Sequence, residues 1–209
     1  QIVTVRGIAG TTVTISPAIY LPNWRSSQSP GAWWSSAVPI TMSGIEDLTV
    51  NHSGSGSVMS GTYFFNASGC WMKNVKSLNA NRNHVWLYQS AHVTVRDNYF
   101  YGTRNAASQS YGIETYMNSD SLVENNIFQH VTVGMMTGGS TTGTVFGYNN
   151  SIDDFYNIAS WMQSSSYFHD GGIAFVLFEG NDGIGFTADA IHGTANFRTV
   201  FRNLFTRWG

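Results

Sequence analysis

Ser121-Leu-Val-Glu-Asn-Asn-Ile-Phe128 has the apolar ends of a strand, Leu122-Val123 and Ile127-Phe128, around two asparagines, Asn125 and Asn126. Asparagine is depleted in strands and favoured in turns. The conflict resolves once the phrase is found again along the chain. Val95-Arg-Asp-Asn98-Tyr-Phe100, Val123-Glu-Asn-Asn126-Ile-Phe128 and Val200-Phe-Arg-Asn203-Leu-Phe205 all read V-x-x-N-x-F. Trp71-Met-Lys-Asn74, Gly147-Tyr-Asn-Asn150-Ser-Ile152 and Phe178-Glu-Gly-Asn181 are partial copies. The asparagines at 74, 98, 126, 150, 181 and 203 recur at intervals of 22 to 31 residues. Self-similarity at such a period marks a stacked repeat architecture.

A second phrase precedes most copies: His84-Val-Trp-Leu-Tyr88, Gly112-Ile-Glu-Thr-Tyr116, Thr132-Val-Gly-Met-Met136 and Asn157-Ile-Ala-Ser-Trp161. Each period thus holds at least two short strands, separated by Ser/Gly/Asn turns such as QSAH and NSDS. No window sustains the apolar spacing of an amphipathic helix, so helices should be few. Short strands and an asparagine in register predict an all-β parallel solenoid of six to seven coils, with equivalent residues stacked about 4.8 Å apart. At a corner, asparagine tolerates the left-handed backbone conformation, and stacked amides can bond between coils.

Composition agrees with a folded domain. Apolar residues make up 42% of the 209, charged residues 11%, and the net charge is -2, unlike a disordered chain. The scattered Lys and Arg residues form no basic stripe for nucleic acid. No apolar run is long enough for a membrane-spanning helix. Cys70 is the only cysteine, which excludes an intramolecular disulfide and a four-cysteine zinc site.

From Gly44 to the C-terminus the coil pattern resembles the right-handed parallel β-helix proteins of the pectate-lyase-like superfamily. Gly44-Ile-Glu-Asp-Leu-Thr-Val50 and Cys70-Trp-Met-Lys-Asn-Val75 look like coils of that group. The run His192-Gly-Thr-Ala-Asn-Phe-Arg-Thr-Val-Phe-Arg-Asn203 is similar to a segment of its uncharacterised bacterial branch. That resemblance implies a polysaccharide partner and an extracellular or cell-surface location. It does not carry the catalytic motifs with it. Trp71-Met-Lys-Asn74 lacks the Asp and His of the lyase pattern Trp-Ile-Asp-His, and the polygalacturonase Asn-Thr-Asp and Gly-His-Gly motifs are absent.

Residues 1–43 differ from the rest. Ile2 to Ile15 reads as a hairpin around a Gly-containing turn, followed by a loop through Trp24, Trp33 and Trp34. They are taken as a hairpin and excursion attached to the helix of residues 44–209, itself expected to be part of a longer chain. Both ends lack an amphipathic capping helix, so self-association through uncapped coils is expected.

In the solenoid, alternate residues face in and out. If Val85 and Leu87 face inward, Trp86 and Tyr88 face outward, and Tyr88, Tyr116, Met136 and Trp161 form an outward apolar file. Trp86, Tyr88, Tyr116 and Trp161 are the candidate sugar-stacking residues. Glu114 is the carboxylate of that face and the candidate general acid or base. Asp120, Asp153, Asp154 and Asp189 are candidates for the second carboxylate of glycoside hydrolysis. Asp189 and His192, three apart, are a further candidate pair for proton transfer, beside His169-Asp170. No metal or other cofactor is expected, since the histidines are dispersed without an H-x-x-x-H pair. Asp153-Asp154 alone gives little towards the roughly six to eight oxygens that calcium takes. The rival reading is a non-catalytic structural or adhesive module, such as a spike or filament segment.

Overall fold

The computed structural model of the protein describes residues 1–105, 108–156 and 163–206. Its body is a parallel β-helix with three stacked sheets. One sheet has seven strands, from Gly44–Glu46 through Trp71–Lys73, Thr94–Arg96, Leu122–Glu124, Val145–Gly147 and Leu177–Glu179 to Thr199–Phe201. A second also has seven, from Thr49–Asn51 through Tyr99–Thr103 and Ile127–Gln129 to Leu204–Phe205. The third comprises Ser60–Phe65, Asn83–Tyr88, Tyr111–Tyr116 and Val133–Gly138, of six residues each, then the shorter Ser166–Phe168 and Phe186–Ala188. Among the described residues there is no α-helix, and no helix long and apolar enough to cross a membrane.

The core is built of files that run along the solenoid axis. Met72, Val95, Val123, Phe146 and Phe178 pair in register from coil to coil and are fully buried. Phe100 stacks on Phe128 at 5.3 Å, and Phe146 on Phe178 at 4.6 Å. Flat rings stack about one strand spacing apart along the interior. In cross-section, the Phe128 ring lies against Gly112, where a Cβ would sit 2.3 Å from Phe128 Cδ1. Glycine is therefore required at the head of that long strand.

Between the first and second sheets the chain turns at two successive positions with separate tasks. The first is left-handed in every coil: Asp47, Asn74, Asp97, Asn125, Tyr148 and Arg202 have φ between 51° and 59°, and Gly180 has 65°. The second carries the buried amides. Asn126 Nδ2 donates to Val95 O (3.0 Å) and Asn149 Oδ1 (2.9 Å), while Asn126 Oδ1 accepts from the backbone N–H and Nδ2 of Asn98. Asn149 repeats this onto Asn181, and Asn181 onto Asn203.

Two of the six repeat asparagines are thereby corrected. Asn149, not Asn150, stands in the file, and Asn74 stands at the left-handed corner while Val75 takes the file position. The file residue always lies three after an inward residue: Val95, Val123, Phe146, Phe178. Counting from Gly147 and Trp71, which are not core residues, shifts the frame by one.

The N-terminal hairpin pairs Thr4–Ala9 with Thr12–Ser16. The segment docks on a corner of the helix, where Ile2 N–H donates to Ser119 Oγ and Tyr20 Oη to Asp120 Oδ1 at 2.6 Å. Parallel pairing with the solenoid begins at Ile40–Thr41, on Ala67–Ser68.

Asn149→Ala would leave buried donors on Asn126 and the Val123 carbonyl unpaired, a cost of about 3 kcal/mol. Asn150→Ala removes a side chain whose Oδ1 has no partner among the described residues; its expected cost is within about 0.5 kcal/mol. Urea unfolding of the two variants should therefore differ clearly, and equal midpoints would reject the assignment.

Candidate functional site

The third sheet presents two outward rows. Tyr63, Trp86, Glu114, Met136 and Tyr167 pair successively along one, and Phe65, Tyr88, Tyr116 and Gly138 along the other. The rings of the first three coils form one aromatic surface. Tyr63 lies 5.2 Å from Trp86, Phe65 5.5 Å from Tyr88, and Tyr88 5.6 Å from Tyr116, by ring centroid. Tyr63 and Phe65 are each 47% exposed, and Trp86, Tyr88 and Tyr116 are half-buried.

Trp86, Tyr88 and Tyr116 thus lie together on the outer face. Met136 does not continue the row of Tyr88 and Tyr116: it pairs with Glu114 and is buried with Tyr111 and Val133. Gly138 stands beside Tyr116 instead. A Cβ there would be 3.0 Å from Tyr116 Cδ2, and one on Gly139 2.6 Å from its Cζ, so the ring lies across two glycines. Trp161, and the strand expected at 157–161, lie outside the described residues.

Glu114 stands in the first row, between Trp86 and Met136, and is 5% exposed. Its Oε2 accepts from Asn83 Nδ2 at 2.8 Å, and its Oε1 meets Arg82 Nη2 at 3.3 Å. The Arg82 guanidinium lies over Trp86 (5.6 Å) and Tyr111 (5.3 Å). Burial pushes the Glu114 carboxyl up to about 6, against the pull of Arg82 and Asn83, and Asp170 adds to the rise. Burial likewise lifts the Tyr111 phenol to about 12. Arg82 Nε, Asn83 Oδ1 and Trp86 Nε1 are buried polar atoms with no hydrogen-bond partner among the described residues. Buried polar atoms are rarely left unpaired, and these three stand around one carboxylate.

The other end of the face carries Tyr167, His169, Asp170, Asp189 and His192. Asp189 Oδ2 accepts from His169 Nδ1 at 2.9 Å and from His192 Nδ1. Asp170 Oδ2 accepts from Gly139 N–H at 3.2 Å. Burial raises the Asp189 carboxyl, but hydrogen bonds from His192, the Ile191 N–H and His169 outweigh it and hold it near 2.

The other carboxylate candidates are engaged elsewhere. Asp120 holds Tyr20, Asp153 pairs with His130 at 3.0 Å, and Asp154 Oδ1 accepts from Ser151 at 2.6 Å. Asp170 is the acid that acts on Glu114 electrostatically. Sequence reasoning missed Tyr63, Phe65, Arg82 and Asn83. The strand Ser60–Phe65 turns Tyr63 and Phe65 to the side of Trp86 and Tyr88, but the unbroken run Tyr63-Phe64-Phe65 hides the alternation, and its coil carries only the partial copy Trp71-Met-Lys-Asn74.

A surface hollow of about 630 Å³ lies elsewhere, lined by Asp47, Asn74, Lys76, Asp97, Asn98 and Asn125 at the asparagine corner. Its polar groups satisfy one another, Asn74 with Asp47 and Asn125 with Asp97, both at 2.7 Å. Tyr99 also lines it, but its carboxylate Asp97 is held below the usual range by the hydrogen bond from Asn125, the opposite of the raised Glu114.

Asp154 supplies a pH test. Burial raises its carboxyl from an ordinary 3.8 to about 7, outweighing the hydrogen bond from Ser151. A raised folded-state value gives stability fully present below 3.8 and lost as pH rises through about 7. Asp154→Asn should leave the melting midpoint nearly unchanged at acid pH and raise it by a few degrees above pH 7, measured by thermal circular dichroism. A variant with the same pH dependence as the parent would contradict this.

No curated protein and no solved structure matches the chain. The family model described as the right-handed beta helix region matches residues 34–203, in accord with the stacked parallel sheets. The chain belongs to the right-handed β-helix family.

Proposed function

We propose that this protein, a β-helix of the pectate-lyase-like kind, binds a polysaccharide along the outer face of its third sheet, outside the cell or at its surface. The observation that carries the reading is a continuous aromatic surface, Tyr63, Phe65, Trp86, Tyr88 and Tyr116, bordered by unpaired polar atoms. Pyranose rings have apolar faces that stack on aromatic side chains, and hydroxyl edges that need donors and acceptors. Arg82 Nε and Trp86 Nε1 are donors and Asn83 Oδ1 an acceptor. Strands one coil apart repeat the surface along the axis, which suits an extended polymer more than a small molecule.

Cleavage of the bound chain is a second reading, favoured by Glu114. A carboxyl raised to about 6 holds its proton near neutrality and is suited to a general acid. Its low exposure requires Arg82 to move aside for a glycosidic oxygen to reach it. Turnover would then fall as pH rises past about 6, because the acid must be protonated.

The test is affinity electrophoresis against polygalacturonate, alginate, xylan and a mixed-linkage β-glucan, with reducing-end and unsaturated-product assays. At least one polymer should retard the protein, and Tyr63→Ala or Tyr88→Ala should weaken binding roughly tenfold. Glu114→Gln should abolish turnover while leaving retardation in place. Equal mobility of parent and aromatic variants in every gel would leave the structural or adhesive module as the better account.

A further inference from the structure

We propose that His169, Asp189 and His192 form a binding site for one divalent first-row transition metal, with Zn²⁺ the ion their donors suit best. One ligand atom from each residue lies within 4.8 Å of the others. His169 Nδ1 and His192 Nδ1 both face the same carboxylate oxygen, Asp189 Oδ2, and the two rings are 4.3 Å apart at 62°. Two imidazole nitrogens and one carboxylate oxygen are a donor set that zinc takes, at distances of about 2.0 to 2.2 Å, with a fourth position left open.

The ligands stand on backbone held from several sides. His169 follows the strand Ser166–Phe168, and its N–H donates to Thr137 O at 2.7 Å. The Asp189 side chain is only 3% exposed; its Oδ1 accepts from Ile191 N–H at 2.6 Å, which aims Oδ2 at the imidazoles. The turn bearing His192 is pinned to the turn after His169 by a close approach of two glycines. A Cβ on Gly193, at φ 140°, would sit 2.5 Å from Gly171 N. Such outer support orients ligands before a metal arrives. His192 is half exposed, which gives an ion access.

A linear search for paired histidines fails here because the fold supplies ligands differently. His169 comes from one coil and Asp189 and His192 from the next, so residues 20 or more apart become neighbours. The site lies beside Tyr167, whose ring is 5.9 Å from that of His169. It is separate from Glu114, and its existence does not depend on polysaccharide binding.

Tag-free protein stripped with chelator is titrated with ZnCl₂ by calorimetry and with CoCl₂ by visible absorption, in the absence of any glycan. One ion per chain should bind, with the d–d bands of low-coordinate Co²⁺. His169→Ala and His192→Ala should each weaken Zn²⁺ binding roughly tenfold or more, while His92→Ala should leave it unchanged. His192→Ala is the safer variant because its side chain lies on an exposed turn, and far-UV circular dichroism checks the fold of each. Absence of stoichiometric binding by the parent protein, or binding by folded His192→Ala as tight as the parent's, would overturn the proposal. Glycan retardation without metal binding would refute this site alone, and metal binding without retardation would refute the glycan reading alone.

Discussion

Everything in this molecule depends on equivalent residues of successive coils meeting at one strand spacing. The buried asparagine file enforces that register most strictly. Each interior member sends one Nδ2 proton to each neighbouring coil and accepts two hydrogen bonds at Oδ1 from the preceding coil. A coil displaced by one residue would bring Asn125 or Ile127 in place of Asn126, with no amide held in the file geometry, and strand several buried polar groups. Desolvated groups cost far more unpaired than they contribute when paired. The phenylalanine stacks add close packing, yet stacked rings tolerate sliding; directional amide bonds do not.

The same register builds the outer face. With inward residues fixed at Val85, Leu87, Ile113 and Thr115, alternation leaves Trp86, Tyr88, Glu114 and Tyr116 on the outside. Glu114 is burdened by its position, since it is buried among rings and is compensated, among the described residues, by Arg82 and Asn83. An apolar core residue at that place would satisfy packing with less difficulty. On this face a raised carboxylate stands beside the rings of Trp86 and Tyr111 and three unpaired polar atoms.

The parallel solenoid was legible because its period is long and its residues repeat by type. Phe100 and Phe128, or Val95 and Val123, declare their files in the sequence. Errors arose where two candidates stood side by side. In Asn125-Asn126 the second asparagine joins the file, whereas in Asn149-Asn150 the first does, since Tyr148 takes the left-handed corner. That corner accepts Asp, Tyr and Arg as readily as Asn, so residue type alone does not mark it. On the outer face a bulky residue was expected next to Tyr116, where glycine is required by the ring lying across it. The convergence of His169 with Asp189 and His192 depends on the length of one coil, which the repeat asparagines define only to within several residues.

A glycan lying on the third sheet would shield its rings from solvent, which side-chain footprinting with hydroxyl radicals reads residue by residue. With a polysaccharide that retards the protein in gels, Tyr63, Phe65, Tyr88 and Tyr116 should lose reactivity. Tyr101 and Tyr148, exposed on the second sheet and at the asparagine corner, should keep theirs. Unchanged reactivity at the four rings, or protection centred on Tyr101 and Tyr148, would contradict the account.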